Sequence, residues 1–317
     1  MTGGGVVCIV HGEDADGLTC AALLRRLFDA TPVLTTYDDL LSALEGVAPP
    51  VEELYICDLN IRGSLLPEIT RIRDFAQVAV IDHHQMEEGV LEALIEAGVE
   101  VVHDTRDSAS VLLFDHFRER LGREAGRLAA YTAWSDQFED GPIATELLWD
   151  YDRQLVQHEA MIITHAITRM QIEDFWMRIV EGLSRLDFPH EIPGVVEASL
   201  AHVEEMVEII KALPGEAVRR GTLAYVLASD EKPIGTIANL LLDSLGTEVG
   251  LCYKVKEGRA NISMRSRRGL TFHLGEITRR LAAEQGGFGG GHKRASGASI
   301  PEEGVEGFIR GLEEALA

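Results

Sequence analysis

Cysteine is scarce, lysine is scarce, and no apolar run is long. Each scarcity narrows what this 317-residue chain can be. Its four cysteines, Cys8, Cys20, Cys57 and Cys252, form no C-x-x-C pair. Cys8 and Cys57 sit inside apolar, strand-like runs, which fits buried reduced thiols better than a disulfide framework or a thiolate zinc site. The longest apolar runs, Val6–Val10 and Val78–Ile81, are strand-sized. They fall far short of the ~18 residues that span a bilayer. The opening MTGGG has neither a basic nor an apolar signal region. A cytoplasmic protein without membrane contact is therefore expected.

Positive charge is also short. There are 29 basic against 52 acidic residues, a net charge of −23. A protein that coats long nucleic acid offers a basic face, and no lysine-rich stripe is present here. Two features leave room for phosphate ligands. Metal ions can neutralise a carboxylate-rich site locally. The basic residues Arg259, Arg265, Arg267, Arg268, Arg279, Arg280, Lys293 and Arg294 gather in the last fifth of the chain. Short substrates held at one local basic site are expected.

What is present reads as two domains, the default for this length. Apolar runs at Val6–Val10, Val33–Tyr37, Glu53–Asp58, Val78–Ile81 and Val99–His103 alternate with helical patterns at Leu18–Asp29, Leu40–Leu44, Ser64–Phe75 and Val90–Ala97. Continuous apolar strands alternating with helices predict a parallel sheet covered on both faces. From Ser110 to about Lys211 the pattern is helical. FPHEIPG marks a break at Phe188–Gly194, and a connecting helix over Val195–Leu213 ends at Pro214–Gly215. Strands return at Leu223–Leu227, Val249–Val255 and Asn261–Arg265, with helices at Gly235–Leu245 and Leu274–Gln285. The reading is α/β throughout: residues 1–190 form a catalytic parallel-sheet domain, 191–215 a helical connector, and 216–317 a smaller C-terminal α/β substrate-binding domain.

Four polar stretches follow strands or lie near the sheet edge where open α/β sheets bind ligands. They are His11-Gly-Glu13-Asp14-Ala-Asp16-Gly17, Asp58 after YIC, Asp82-His83-His84 after VAVI, and Asp136 in WSDQF. Singly, each has a structural alternative: a D-x-D-G turn, or a helix cap at Asp58. Jointly, so many acidic groups at the ends of successive buried strands gain nothing from packing and would repel without cations. Mixed carboxylate and imidazole donors suit Mn²⁺. Asp14-x-Asp16 can aim at neighbouring metals, and Asp58, arriving from an adjacent strand, can bridge them.

HGEDADG, ICD, IDHH, SDQF and GGGHKRASGA together resemble the DHH phosphoesterases with their associated C-terminal domain, over about Val6 to Ile300. The family includes RecJ-type exonucleases, nanoRNases, pAp phosphatases and cyclic-dinucleotide phosphodiesterases. The resemblance implies two Mn²⁺ ions, with Mg²⁺ as the substitute. His11 and Asp14 would hold one and Asp16 the other. Asp58 would bridge, and His83 would join Asp136 on the second ion. His84 would face the substrate phosphate, with Asp82 orienting the histidines. One departure stands out. His11 stands three positions before Asp14, where the family has two or four or lacks the histidine, so Glu13 remains an alternative ligand. His103-Asp104 and the following Ser108 read as helix capping by Ser108, with a supporting role beside the metals open to His103 and Asp104.

The glycine-rich run ends in Gly289-Gly290-Gly291-His292-Lys293-Arg294. Glycines let backbone N–H groups approach an anion, and the basic side chains supply charge. No G-K-[ST] follows a strand, so this is not a Walker loop. By the resemblance the loop and Arg265 hold the nucleotide end of the substrate, His292 above all. Phe288 either stacks on a base or packs beneath the loop. The expected function is Mn-dependent hydrolysis of single-stranded or short oligonucleotides, RNA or DNA, to mononucleotides by a two-metal mechanism. Alternatives are a pAp phosphatase, a cyclic-dinucleotide phosphodiesterase, or an inactive scaffold of a replication or repair complex. A homodimer and a replication or repair partner are both left open.

Overall fold

The computed structural model describes residues 5–229 and 233–316. The chain divides into two compact units, Met1–His202 and Val203–Ala317.

In the first unit, β1 (Val6–His11), β2 (Thr31–Thr35), β3 (Glu53–Cys57), β4 (Gln77–Asp82) and β5 (Glu100–His103) form one sheet in the order β2-β1-β3-β4-β5. All its pairings are parallel. The strands are apolar between their ends because both faces are covered. Along β1, Cys8 and Val10 enter one core and Val7 and Ile9 the other. β3 repeats the division with Tyr55 and Cys57 against Leu54 and Ile56. One core is closed by α1 (Ala15–Phe28) and the helices that follow the sheet. The other is closed by α2 (Leu40–Glu45), α3 (Leu66–Arg73) and α4 (Val90–Glu96). Parallel pairing sends all five C-terminal ends to one edge. The register sets Val10 beside Cys57, Cys57 beside Ile81, and Asp82 beside His103.

After β5 the chain is helical: α5 (Ala109–His116), α6 (Arg118–Ser135), α7 (Pro142–Leu148), α8 (Arg153–Arg169), α9 (Glu173–Ser184) and α10 (Val195–Glu216). α10 continues through Pro214, where the sequence suggested a stop. Proline cannot donate to the carbonyl four residues back. Ser244 Oγ donates to that carbonyl, Ile210 O, at 3.1 Å, so the acceptor is satisfied and the last turn persists.

The second unit holds β6 (Val218–Arg220), β7 (Leu223–Leu227), α11 (Ile234–Leu245), β8 (Val249–Lys256), β9 (Arg259–Ser266), α12 (Leu274–Glu284), β10 (Phe288–Gly291), β11 (Ala295–Pro301) and α13 (Val305–Leu316). Its sheet runs β10-β11-β9-β8-β7-β6, mixed, with only β7 and β8 parallel among the described strands. The expected glycine loop is therefore partly a strand. Phe288 to Gly291 pair with Ser299 to Ser296. Glycine has no strand preference of its own, and β10 forms because β11 offers a row of backbone partners. Among the described residues no helix is long and apolar enough to cross a membrane. The four cysteines are buried as thiols.

Candidate metal centre

The first strand end is shaped by a helix start. Asp14 accepts a hydrogen bond from Gly17 N–H at 3.0 Å and caps α1, so the helix begins at Ala15, three residues before the expected Leu18. Only glycine fits at position 17. A Cβ there would lie 2.0 Å from the carbonyl oxygen of His11. This contact folds β1 tightly onto α1 and brings His11 and Asp14 together at the edge. His11 Nδ1 donates to Asp14 Oδ2 at 2.7 Å and lies 3.9 Å from Asp58 Oδ2. Its other nitrogen, Nε2, is buried without a hydrogen-bond partner and lies 3.9 Å from the exposed Glu13.

Asp58 follows β3 in the left-handed region, φ 58°. A non-glycine residue there is strained by roughly 1–3 kcal/mol. The carboxylate is 2% exposed. Oδ1 accepts from His83 Nε2 at 3.2 Å, and Oδ2 is buried with no partner. His84 Nδ1 donates to Asp82 Oδ1 at 2.7 Å, and the second oxygen of Asp82 is also unpartnered. Two sets of side chains offer ligand atoms within 4.8 Å of one another: His11, Asp14 and Asp58, and Asp58, Asp82, His83 and His84. Asp58 belongs to both. Three orphaned buried atoms and a shared carboxylate fit a pair of divalent cations.

Asp16 and Asp136 stand outside these two sets. Asp16 is fully buried, and its oxygens accept from Ala109 N at 2.7 Å and Ser110 N at 3.0 Å, the N-terminus of α5. The expected cap, Ser108, makes no side-chain capping bond. Asp16 does that work because it is an anion directly behind two orphan N–H groups. Asp136 ends α6 with its carboxylate 3.3 Å from Ser135 Oγ. Both are close enough to act on the cluster electrostatically. Burial, reinforced by Asp14, Asp16, Asp136 and Asp82, pushes the Asp58 carboxyl far up. Burial, then Asp16 and Asp14, does the same to Asp136. Burial also opposes ionisation of Asp14 and Asp82, but hydrogen bonds from His11 and His84 outweigh it and hold both below the usual carboxylate range. For His84, burial disfavours the charged form, yet Asp82 lifts it above the ordinary imidazole value. Burial lowers His83.

Two neighbours escaped the sequence reading. Tyr37 lies two residues beyond β2, with its hydroxyl 3.1 Å from His84 Nε2 and its ring 4.6 Å from that of His11. Its place past a strand end was the only signal. Phe138 meets the His83 ring edge-on at 4.9 Å. His103 donates from Nε2 to the carbonyl of His84 at 2.7 Å, while Asp104 pairs with Arg106 away from the cluster.

In the second unit His292, Lys293 and Arg294 form the exposed turn between β10 and β11. The turn is pinned through its backbone. Gly275 N donates to His292 O, Leu274 N to Lys293 O, and Ser266 N to Arg294 O, each at 3.0 Å. A Cβ on Gly275 would lie 2.1 Å from Gly291 O, so α12 and the turn meet without side chains. The side chains of the turn are thus left outward. Arg265 pairs in register with Ala295, and its guanidinium donates to Ser263 Oγ and Met264 O. Phe288 is 71% exposed, with Arg259 over its ring at 5.8 Å, so it does not pack beneath the loop. Of the basic cluster, Arg259, Arg267 and Arg280 brace the fold through Ser299, Thr247 and Glu284.

Residues 221–317 match the DHHA1 domain family. No curated protein matches the sequence. Solved structures of similar fold include RecJ in complex with Mn²⁺ from Thermus thermophilus (20% identity, TM-score 0.70). It aligns with 98% of this chain, which spans 52% of that protein's length. Exonuclease RecJ bound to manganese also aligns (20% identity, TM-score 0.62, 98% of this chain and 90% of that one). So does the pGpG-specific phosphodiesterase PggH from Vibrio cholerae (15% identity, TM-score 0.62, 98% of both chains). Residues 221–317 of the second unit form a DHHA1 domain, and the chain as a whole has the fold of these solved structures.

Proposed function

We propose that the chain is a metal-dependent phosphoesterase acting on single-stranded or short oligonucleotides, with Mn²⁺ as its working ion. The observation that carries this reading is Asp58: a strained, buried carboxylate common to two ligand sets, with an oxygen no protein group satisfies. His11, Asp14 and Asp58 would hold one cation, and Asp58, His83 and Asp136 the other, while Asp16, whose oxygens cap α5, would add negative charge behind them. Two such ions supply an activated water near neutral pH and offset charge on phosphoryl oxygens.

The remaining roles belong to the protein. Asp82 fixes the His84 ring through Nδ1, which leaves Nε2 beside Tyr37 as the face available to a phosphate. His84 neutralises charge on a phosphoryl oxygen and returns a proton to the leaving oxygen. In the DHHA1 domain, the outward turn Gly289-Gly290-Gly291-His292-Lys293-Arg294 with Arg265 would bind the nucleotide. The acidic surface favours short substrates over long nucleic acid. The likeness to PggH along its full length gives a dinucleotide substrate support as the second reading, beside the RecJ structures that support the first. The test is hydrolysis with Mn²⁺ of an end-labelled oligonucleotide ladder beside pGpG, cyclic dinucleotides and pAp. Stepwise shortening to mononucleotides supports the first reading, and cleavage of dinucleotides alone supports the second. No hydrolysis of any of them would refute both.

A further inference from the structure

Outside the metal centre, the N-terminal unit carries a cavity of about 440 Å³ where the end of α6, α7 and the start of α8 come together. That volume lies in the ~300–1,000 Å³ range of small-ligand sites. Trp134, Leu148, Trp149 and Tyr151 wall it, with Glu139, the exposed Asp140 and Arg153 as charged groups. Trp149 is 87% exposed, the most exposed of the large apolar side chains described. Arg153 covers the outer ring system of Trp134 at 5.2 Å. Glu139 Oε2 is buried with no hydrogen-bond partner, while the backbone carbonyl of the same residue is held by Thr145 Oγ1 at 3.2 Å. Nothing in the proposed hydrolysis uses these groups.

Each feature specifies part of a ligand. Two indoles and a phenol ask for a flat π-system. The Glu139 carboxylate in the wall asks for N–H donors, two of them if both oxygens turn to the ligand. Guanine offers an adjacent ring N–H and exocyclic amine on one edge. Adenine and cytosine place an acceptor nitrogen on the corresponding edge. Uracil and thymine flank their single N–H with carbonyl oxygens that a carboxylate repels. We propose that this cavity is a guanine-base pocket, with Glu139 reading the base edge and Trp134 and Trp149 stacking on its faces. The pocket is joined to the metal centre by one short segment. Asp136 and Phe138 lie between Trp134 and Glu139, and Phe138 touches His83.

The proposal is independent of the hydrolytic reading, so binding is measured in chelator, where no turnover occurs. GMP, IMP and AMP are titrated against the full chain by calorimetry and tryptophan fluorescence. IMP differs from GMP only by lacking the exocyclic amine. GMP should bind about tenfold or more tightly than IMP, as expected for loss of a hydrogen bond to a charged group, and AMP should bind more weakly still. Glu139→Gln should abolish the GMP-over-IMP preference. Trp149→Ala, at an exposed position where folding is not at stake, should remove the fluorescence change. Equal binding of the three nucleotides, no binding, or an undiminished preference in Glu139→Gln would overturn the proposal. So would a Trp149→Ala effect on sedimentation but not on GMP, which would make this face a contact between copies.

Discussion

The two sheets of this protein treat charge in opposite ways. The N-terminal unit gathers carboxylates and imidazoles at buried strand ends and at the end of α6, where Asp58 and Asp136 resist ionisation. The C-terminal sheet places His292, Lys293 and Arg294 on an exposed turn held only through its backbone. Buried like charges are costly unless a counter-ion answers them, so the first arrangement is suited to hold cations. An exposed basic turn over glycine costs almost nothing unliganded and is suited to a mobile anion. A metal site demands rigidity before binding, whereas a nucleotide site can be assembled from backbone and reach.

The comparison breaks most sharply at Asp58. Asp58→Ala should cut Mn²⁺-dependent hydrolysis about a thousandfold or more, since metal-borne charge stabilisation is worth several kcal/mol. Circular dichroism should show the fold retained, and near-wild-type turnover would remove Asp58 from the centre. His292→Ala should act on the other half alone. KM should rise about tenfold with kcat little changed, as expected for one hydrogen bond to a charged phosphate. An unchanged KM would take the turn out of the site.

Two smaller effects sharpen the division. Gly275→Ala forces a Cβ against Gly291 O and should destabilise the DHHA1 unit by roughly 1–3 kcal/mol. Nucleotide affinity should fall while Mn²⁺ affinity stays constant, as measured by thermal melting and metal titration. The last effect is a pH dependence. In chelator, folded Asp58 and Asp136 keep protons that the unfolded chain releases near pH ~4, so stability falls as pH rises from there toward their raised values. The lowered Asp14 and Asp82 contribute above the ordinary carboxylate range and lose that contribution only as pH falls through their depressed values. His84, raised, contributes below the ordinary imidazole value and loses it as pH climbs through its own. Melting scans should therefore show a decline with rising pH that Mn²⁺ flattens. A chelated protein whose stability holds level as pH rises above the carboxylate range would contradict the burial of these charges.

Much of the N-terminal half was legible. Apolar runs covered on both faces have a signature that local reading detects, and His11, Asp58 and Asp82 each end such a run. Less legible was anything set by a distant partner. α1 begins at Ala15 because Asp14 caps it. Asp16, expected to face a metal, binds the N-terminus of α5, 93 residues away in sequence at Ala109. Tyr37 gave no motif and is placed against His84 by the neighbouring strand. Strand β10, written in glycine, takes its conformation from β11.

By itself the sequence determined the parallel core, the alternation of its two apolar faces, and which strand ends carry acid and imidazole. Those follow from periodicity and from the rule that a buried strand must be apolar except where it stops. Only the tertiary structure decided which carboxylates share a space, which are spent capping helices, and which atoms lack partners. Such contacts join residues far apart in the chain, and a linear pattern does not encode the distance between them.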